Sequence, residues 1–468
     1  MNVTMRLAAL ALLFFSIDAL SASDWTGFRG PKGTGASDDK GLPAALSKDN
    51  ILWKVEVSGP GTSTPITYGD RIFLTAYTGY GTTISKGFKG MGGGKGGFGK
   101  GGFGKGGFGG PDTGGDQKKL RLVVVCLDRK DGKTLWTKEI EPRLPEAKFS
   151  GFLREHGYAS STPATDGKNS FVFFGKSGVL AFDMEGKQLW RADVGSKTHF
   201  WGSAASPVVY KNVVIVNASI ESGSLVGLDK KTGKELWRVK GIGASWSSPV
   251  LVETKEGKSE VVVSIPKKIA AYDPETGKDL WHCQGIGGSG DDEEPGGFGG
   301  FGMGGPTASS TPLARDGIVY AMGGGGRRGG STSIAIKSGG KGNVDKTHVL
   351  WRKSVGAGNC SPVLSGDQFC WVAGIANALS VTDGSTAYQQ RLYDARQEYV
   401  SAVAADNKIY SLTRFEGLFV LDGGDKFKKL GHLTFEGDDS IFNASPAVSD
   451  GHIYVRSNKY LYCLGKKD

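Results

Sequence analysis

Cysteine is scarce in this chain: five of 468 residues, Cys126, Cys283, Cys360, Cys370 and Cys463. None stands in a C-x-x-C or C-x-x-C-H arrangement and no two are adjacent, which excludes a zinc ribbon and covalent haem attachment. Cys360 and Cys370 flank one predicted hairpin and are close enough in sequence to meet, but buried free thiols are the expectation. Histidine is almost as sparse, and His156, His199, His282, His348, His432 and His452 show no metal-ligand spacing, so no metal site is expected. No segment reaches the 18 or so apolar residues that a spanning helix needs. Nucleophile-elbow, phosphate-loop and paired-carboxylate patterns are missing, and the glycine-rich tracts lead into no helix that could hold a phosphate.

The net charge of +10 is unevenly placed. Lys86, Lys89, Lys95, Lys100 and Lys105 fall within residues 86–111, where there is no acid, and they account for half of it. The rest is only mildly basic, so a nucleic-acid partner is not expected. At the N-terminus Arg6 precedes the apolar run Leu7 to Phe15, followed by Ser21, Ala22 and Ser23. That pattern predicts a signal peptide over residues 1–22 and a periplasmic or extracellular location. Residues 23–49 then form a lead-in to the body of the chain.

What is abundant is a repeated phrase. Leu127-Asp128 to Gly132-Lys133-Thr134-Leu135-Trp136 returns as Phe182-Asp183 to Gly186-Lys187-Gln188-Leu189-Trp190. It recurs at Leu228 to Trp237 and Tyr272 to Trp281, and in worn form at Leu350-Trp351. Asp folds back on its own backbone, Gly supplies a positive φ, and Leu-Trp opens a new strand with a bulky anchor. A second phrase, Ser or Thr before Pro and a short apolar strand, marks Pro65, Pro163, Pro207, Pro249, Pro312, Pro362 and Pro446, with Ser401-Ala402-Val403 filling one gap. The underlying period of about 40–45 residues is that of a four-stranded propeller blade. Eight starts predict an all-β, eight-bladed β-propeller over residues 50–466. In the clearest unit the strands are expected at 161–165, 170–174, 178–182 and 188–194.

The last unit ends after Tyr460 to Leu464 without an outer strand, while Asn50 to Val55 has the outer-strand pattern with no preceding turn. Pairing the two closes the ring and removes two open sheet edges.

These motifs resemble the pyrroloquinoline-quinone (PQQ)-like repeat, shared by quinoprotein alcohol dehydrogenases and the BamB propeller of the outer-membrane assembly machinery. The resemblance implies that Trp53, Trp136, Trp190, Trp237, Trp281 and Trp351 are structural, each docking between neighbouring blades. The dehydrogenases of this family carry an adjacent cysteine pair and calcium ligands that this sequence does not show, and the assembly propeller carries a lipidated cysteine that is missing here. The expectation is therefore a binding or scaffolding module with no bound PQQ or other cofactor. A quinone-dependent dehydrogenase with an atypical site is the alternative.

Three inserts interrupt the period: residues 81–119, with Lys-Gly-Gly-Phe-Gly three times in succession, 285–306, with Asp291-Asp292-Glu293-Glu294, and 323–330, with Arg327-Arg328. The first has too little apolar surface to offset its backbone entropy, so disorder is expected there. Propeller topology puts all three on one face, where each inner strand begins. Just before those strands stand His156, Tyr158, Trp201, Trp246, Asn359, Arg396, Glu398, Tyr399 and Asn443, with small residues such as Ser160, Ser203, Ala204, Ser247 and Ala308. Aromatics with a few polar groups around a throat are the composition of a ligand pocket, here for a small molecule or a segment of an envelope or secreted protein.

Overall fold

The computed structural model describes residues 24–84, 112–286, 308–324, 330–394 and 398–467. Residues 1–23, Arg396, Asp291 to Glu294 and most of the three inserts lie outside them. Eight antiparallel sheets follow one another around a ring. Their inner strands are Ile66–Tyr68, Ala164–Thr165, Val208–Tyr210, Val250–Glu253, Leu313–Arg315, Val363–Ser365, Val403–Ala405 and Ala447–Ser449, which number blades 1 to 8. In blade 2 the strands Ala164–Thr165, Asn169–Phe173, Val179–Asp183 and Gln188–Ala192 match the expected ones apart from their ends.

The second and third strands are apolar without alternation because each blade is sandwiched between two others. Arg71–Thr78 and Arg121–Asp128 in blade 1 are buried at every position but their ends. Outer strands have one wet face and alternate instead, as in Thr134–Ile140. That alternation turns the motif's Leu135, Leu189, Leu236 and Leu350 outward into solvent and the neighbouring Trp inward. The apolar clusters cross blade boundaries: Phe171, Phe173 and Trp190 of blade 2 pack with Val214, Val216 and Val226 of blade 3. No blade is therefore a folding unit by itself.

Ring closure is as the sequence implies. Ile51–Glu56 pairs antiparallel with Tyr460–Leu464 and is the outer strand of blade 8. Asn50 Nδ2 adds a bond to the Gly465 carbonyl at 3.0 Å. All five cysteines are buried and free, so Cys360 and Cys370 do not pair.

The indoles bridge blades through their turns. Trp136 Nε1 donates to the Met184 carbonyl at 2.9 Å, Trp190 to Lys230 at 3.0 Å, Trp237 to Pro274 at 3.3 Å and Trp351 to Val381 at 2.8 Å, each in the turn of the next blade. The ring lies flat on that turn's glycine: a β-carbon at Gly186 would sit 2.7 Å from Trp136, and one at Gly233 2.6 Å from Trp190. Trp53 covers Gly132 in the same way across the closure. Trp281 departs from the pattern. The following blade replaces the tight turn by a longer loop whose Gly342–Asn343 pairs with the outer strand itself. Trp281 accordingly donates to Glu260 Oε2 at 2.8 Å within its own blade, and Glu260 Oε1 accepts from Gly339 of that loop at 3.1 Å.

Candidate functional site

The Ser/Thr-Pro phrase builds a belt around the central channel. The amide of Thr64 donates to Thr162 Oγ1 at 2.9 Å, Thr162 to Ser206, Ser206 to Ser248, Ser248 to Thr311, Thr311 to Ser361, Ser361 to Ser401 and Ser401 to Ser445, all within 2.8–3.0 Å. Each hydroxyl accepts from the preceding blade, and in every case but Ser401 the residue that follows is a proline with no N–H to offer. The belt aligns the blades and lines the lumen with hydroxyl groups.

Below the belt the lead-in stoppers the channel. Trp25 is 1% exposed and pairs with Thr67 of blade 1; further on, Ala36–Ser37 adds a parallel strand to the inner strand of blade 7. Between them the chain crosses the ring, and Phe28 borders both the lumen above and a groove below. The buried Arg29 donates through Nη2 to the Pro362 carbonyl. What reads in sequence as a lead-in is part of the closed ring.

Above the belt, residues 141–160 leave blade 1 and extend over the mouth before entering blade 2. They carry the short helix Leu153–His156. Glu155 faces the far side of the ring: its Oε2 lies 3.3 Å from Arg414 Nη1 and accepts from the Tyr399 hydroxyl at 3.1 Å, while its carbonyl accepts from Asn443 Nδ2 at 2.7 Å. Glu155 and Arg414 are 6% and 2% exposed, so this is a buried ion pair bracing the mouth. The Arg414 guanidinium also lies over the Tyr399 ring, 5.1 Å from its centre.

The opposite wall is aromatic. Trp201 and Trp246 are 5.0 Å apart between ring centres, and Phe152 meets Trp201 edge-on at 5.7 Å. Trp246 Nε1 donates to the Gly202 carbonyl at 2.9 Å. His156 Nδ1 and Ser160 Oγ are 2.8 Å apart, and burial pushes the imidazole pKa down to about 4. The cavity between these walls has a volume of about 210 Å³.

Of the residues singled out in the sequence, His156, Trp201, Trp246, Asn359, Tyr399 and Asn443 line this lumen, with Ser160 and Ala204. Tyr158 does not. It turns away into a cluster with Tyr77, Tyr80 and Phe149, and its hydroxyl donates to the Ala147 carbonyl at 2.7 Å. Glu398 also lies off the lumen. Its Oε2 accepts from the Arg414 amide at 3.2 Å, and burial raises its pKa to about 7. Ser203, Ser247 and Ala308 stand back from the lining too. The sequence reading missed Phe28, Phe152, Glu155 and Arg414. Phe152 and Glu155 sit within a few residues of His156, so proximity to the blade-2 entry was the available signal; Phe28 and Arg414 carried none.

Among the described residues no three His, Cys, Asp or Glu side chains converge as metal ligands. His156 and Ser160 form the lumen's one base–hydroxyl contact, but an imidazole with a pKa near 4 is a weak base at neutral pH. Two lining atoms are buried without a hydrogen-bond partner: Asn443 Oδ1, an acceptor, and Trp201 Nε1, a donor. The site offers apolar faces, and its wall holds one buried acceptor and one buried donor without hydrogen-bond partners among the described residues.

A family model described as outer membrane protein assembly factor BamB matches residues 121–390. No curated protein sequence matches. Among solved structures the chain is similar to BamB from Moraxella catarrhalis, at 12% identity and a TM-score of 0.54, covering 89% of this chain and 97% of that one. It is also similar to quinohemoprotein alcohol dehydrogenase from Comamonas testosteroni, at 12% identity and 0.60, covering 95% and 81%. The computationally designed Ika8 protein aligns at 10% and 0.53, covering 89% and 99%. At these identities the likeness is one of fold.

Proposed function

Because the chain belongs to the PQQ-repeat propeller family described as outer membrane protein assembly factor BamB, we propose that it is a non-catalytic binding module of the cell envelope, with the braced lumen as its ligand site. The expected export signal and the family support the location; no helix among the described residues is long and apolar enough to cross a membrane.

The observation that carries the reading is the pair of unpartnered lining atoms, Asn443 Oδ1 and Trp201 Nε1, in a cavity stoppered by Phe28. A buried polar group without a partner costs stability that a ligand can recover. The Glu155–Arg414 pair cancels its own charge and burial disfavours protonation of His156, so the fitting ligand is neutral. It carries one donor, one acceptor and a flat or apolar face for Trp201 and Trp246. An amide-bearing side chain of a peptide meets that description.

Selection of a displayed random-peptide library on the full chain tests this. Peptides enriched on the native protein should be lost on a Trp201→Phe/Asn443→Ala variant that melts at the native temperature. Equal enrichment on both would put the ligand elsewhere.

The quinoprotein neighbour brings a second reading, PQQ-dependent oxidation. The described lining does not fit that group. PQQ is a flat tricarboxylate, and the one cation braced at the mouth, Arg414, is paired with Glu155. The cysteines are separate and buried, with no adjacent pair. We derive no step through the quinone. Calorimetric titration with PQQ and calcium should give no saturable heat, and micromolar binding would replace the binding reading.

A further inference from the structure

The inner strand of each blade has one edge paired with its second strand and one edge facing the axis. In blade 1 the closing pairs Ile66↔Phe73 and Tyr68↔Arg71 turn those residues toward the sheet and leave Thr67 facing inward. The lead-in uses that edge. Thr67 N donates to the Trp25 carbonyl at 3.0 Å, and its counterpart in blade 2, Thr165 N, donates to Thr26 at 2.9 Å. Across the ring Leu364 N of blade 6 donates to Thr34 at 3.4 Å, and Ala404 N of blade 7 to Gly35 at 2.9 Å. Consecutive lead-in residues thus serve consecutive blades, one carbonyl per blade, and both runs go round in the same sense.

Between Thr26 and Thr34 the lead-in leaves the edge and folds on itself, with Gly30 N bonded to the Gly27 carbonyl, Gly33 N to Gly30 and Gly35 N to Arg29. Blades 3, 4 and 5 are skipped, as is blade 8, whose equivalent residue Val448 lies away from the groove lined by the other three. The corresponding residues of blades 3, 4 and 5 are Val209, Leu251 and Ala314, each set in the same register by its hairpin, as the pairs Tyr210↔Val213 and Arg315↔Ile318 show. Among the described residues nothing accepts from these three amides. They line a groove of about 1360 Å³ whose other wall is the lead-in.

We infer that this groove on the lower face, opposite the lumen mouth, docks a segment of a partner protein in the conformation of the lead-in, held by main-chain carbonyls on the inner-strand amides of Val209, Leu251 and Ala314. The chain's own lead-in is the precedent, since it binds the same edge of four other blades through the same groups. The segment runs from blade 3 to blade 5 in the N-to-C sense and presents successive carbonyls. The side chains around the groove mix both signs, with Lys32, Lys255 and Arg315 against Glu253, Asp316 and Asp406. Recognition therefore rests on the main chain rather than on charge, as in strand addition to a sheet edge.

The test is residue-resolved amide hydrogen exchange on the full chain, with a synthetic acetylated peptide copying residues 33–38 as probe. In the free protein Val209, Leu251 and Ala314 should exchange at least ~10-fold faster than Thr67, Thr165 and Ala404, which are already bonded. Millimolar peptide should slow all three saturably. Leu251→Pro removes the central donor at an edge position that tolerates proline, and it should abolish the peptide effect while the melting temperature stays near native. Lumen binding, measured separately with the Trp201→Phe/Asn443→Ala variant, should be unchanged by Leu251→Pro. No saturable protection by the peptide, or the same protection in Leu251→Pro, would overturn the inference. Protection that rises with protein concentration in the absence of peptide would mean that a second copy fills the groove, and would overturn it as well.

Discussion

Tyr399 donates its hydroxyl to Glu155 Oε2 across 3.1 Å, although the two are 244 residues apart in the chain. The contact joins the loop entering blade 7 to the loop entering blade 2, and Arg414 completes it from beneath.

Glu155→Ala should therefore be more harmful than its place in a four-residue helix suggests. It removes the carboxylate paired with the buried Arg414 guanidinium, a loss of about 3–5 kcal/mol. Tyr399→Phe removes only a hydrogen bond to a charged group, about 1.5–3 kcal/mol. Urea denaturation of both variants gives the order; equal losses would show that the ion pair is not what braces the mouth.

The contact between Trp190 and Gly233 can be read by a double-mutant cycle. Trp190→Ala should cost about 3–5 kcal/mol. Gly233→Ala suffers twice, from a φ of +72° and from an indole 2.6 Å away. With Trp190 already removed only the backbone term remains, about 1–2 kcal/mol. The coupling should thus be large and in that direction; strict additivity would mean that the indole is not held on the turn.

Deleting residues 50–57 removes the outer strand of blade 8 and exposes the edge of Tyr460–Leu464. The melting temperature should fall sharply, and protease should cut first within blade 8. An unchanged melting curve would contradict closure by this strand.

Glu221 is 2% exposed, and burial raises its pKa to about 7, with the Ser203 hydroxyl acting in the opposite direction. Between its ordinary 4.5 and 7 the native state keeps a proton that the unfolded chain releases, so this group makes stability fall as pH rises. His156, lowered from 6.5 to about 4, acts the other way: in that window the unfolded chain takes up a proton that the native state declines, so stability rises with pH. Glu221→Gln removes the first contribution and leaves the second. The stability difference between variant and native protein should be flat below pH 4.5 and should grow in the variant's favour up to pH 7. A difference independent of pH would show that Glu221 ionises normally in the folded protein.

The sequence by itself determined the repeat and therefore the ring. Turns such as Asp229 to Gly233, the Ser/Thr-Pro starts and the stranded outer-strand pattern at Asn50 to Val55 are local signals, each complete within about ten residues. Even the hydroxyl belt is written in the residue before each proline, Ser401 before Ala402 being the exception. The lumen was legible in part for the same reason: Trp246, Tyr399 and Asn443 stand two residues before a belt hydroxyl and Trp201 five. Tertiary structure decided the rest. Tyr158 and Glu398 stand nearly as close to those starts yet turn away, the one to pack on Tyr77 and Tyr80 and the other to accept from the Arg414 amide. Phe28 becomes the floor and Glu155 the brace only once eight blades have closed. Their partners lie hundreds of residues away, and no local pattern records a contact made across the ring.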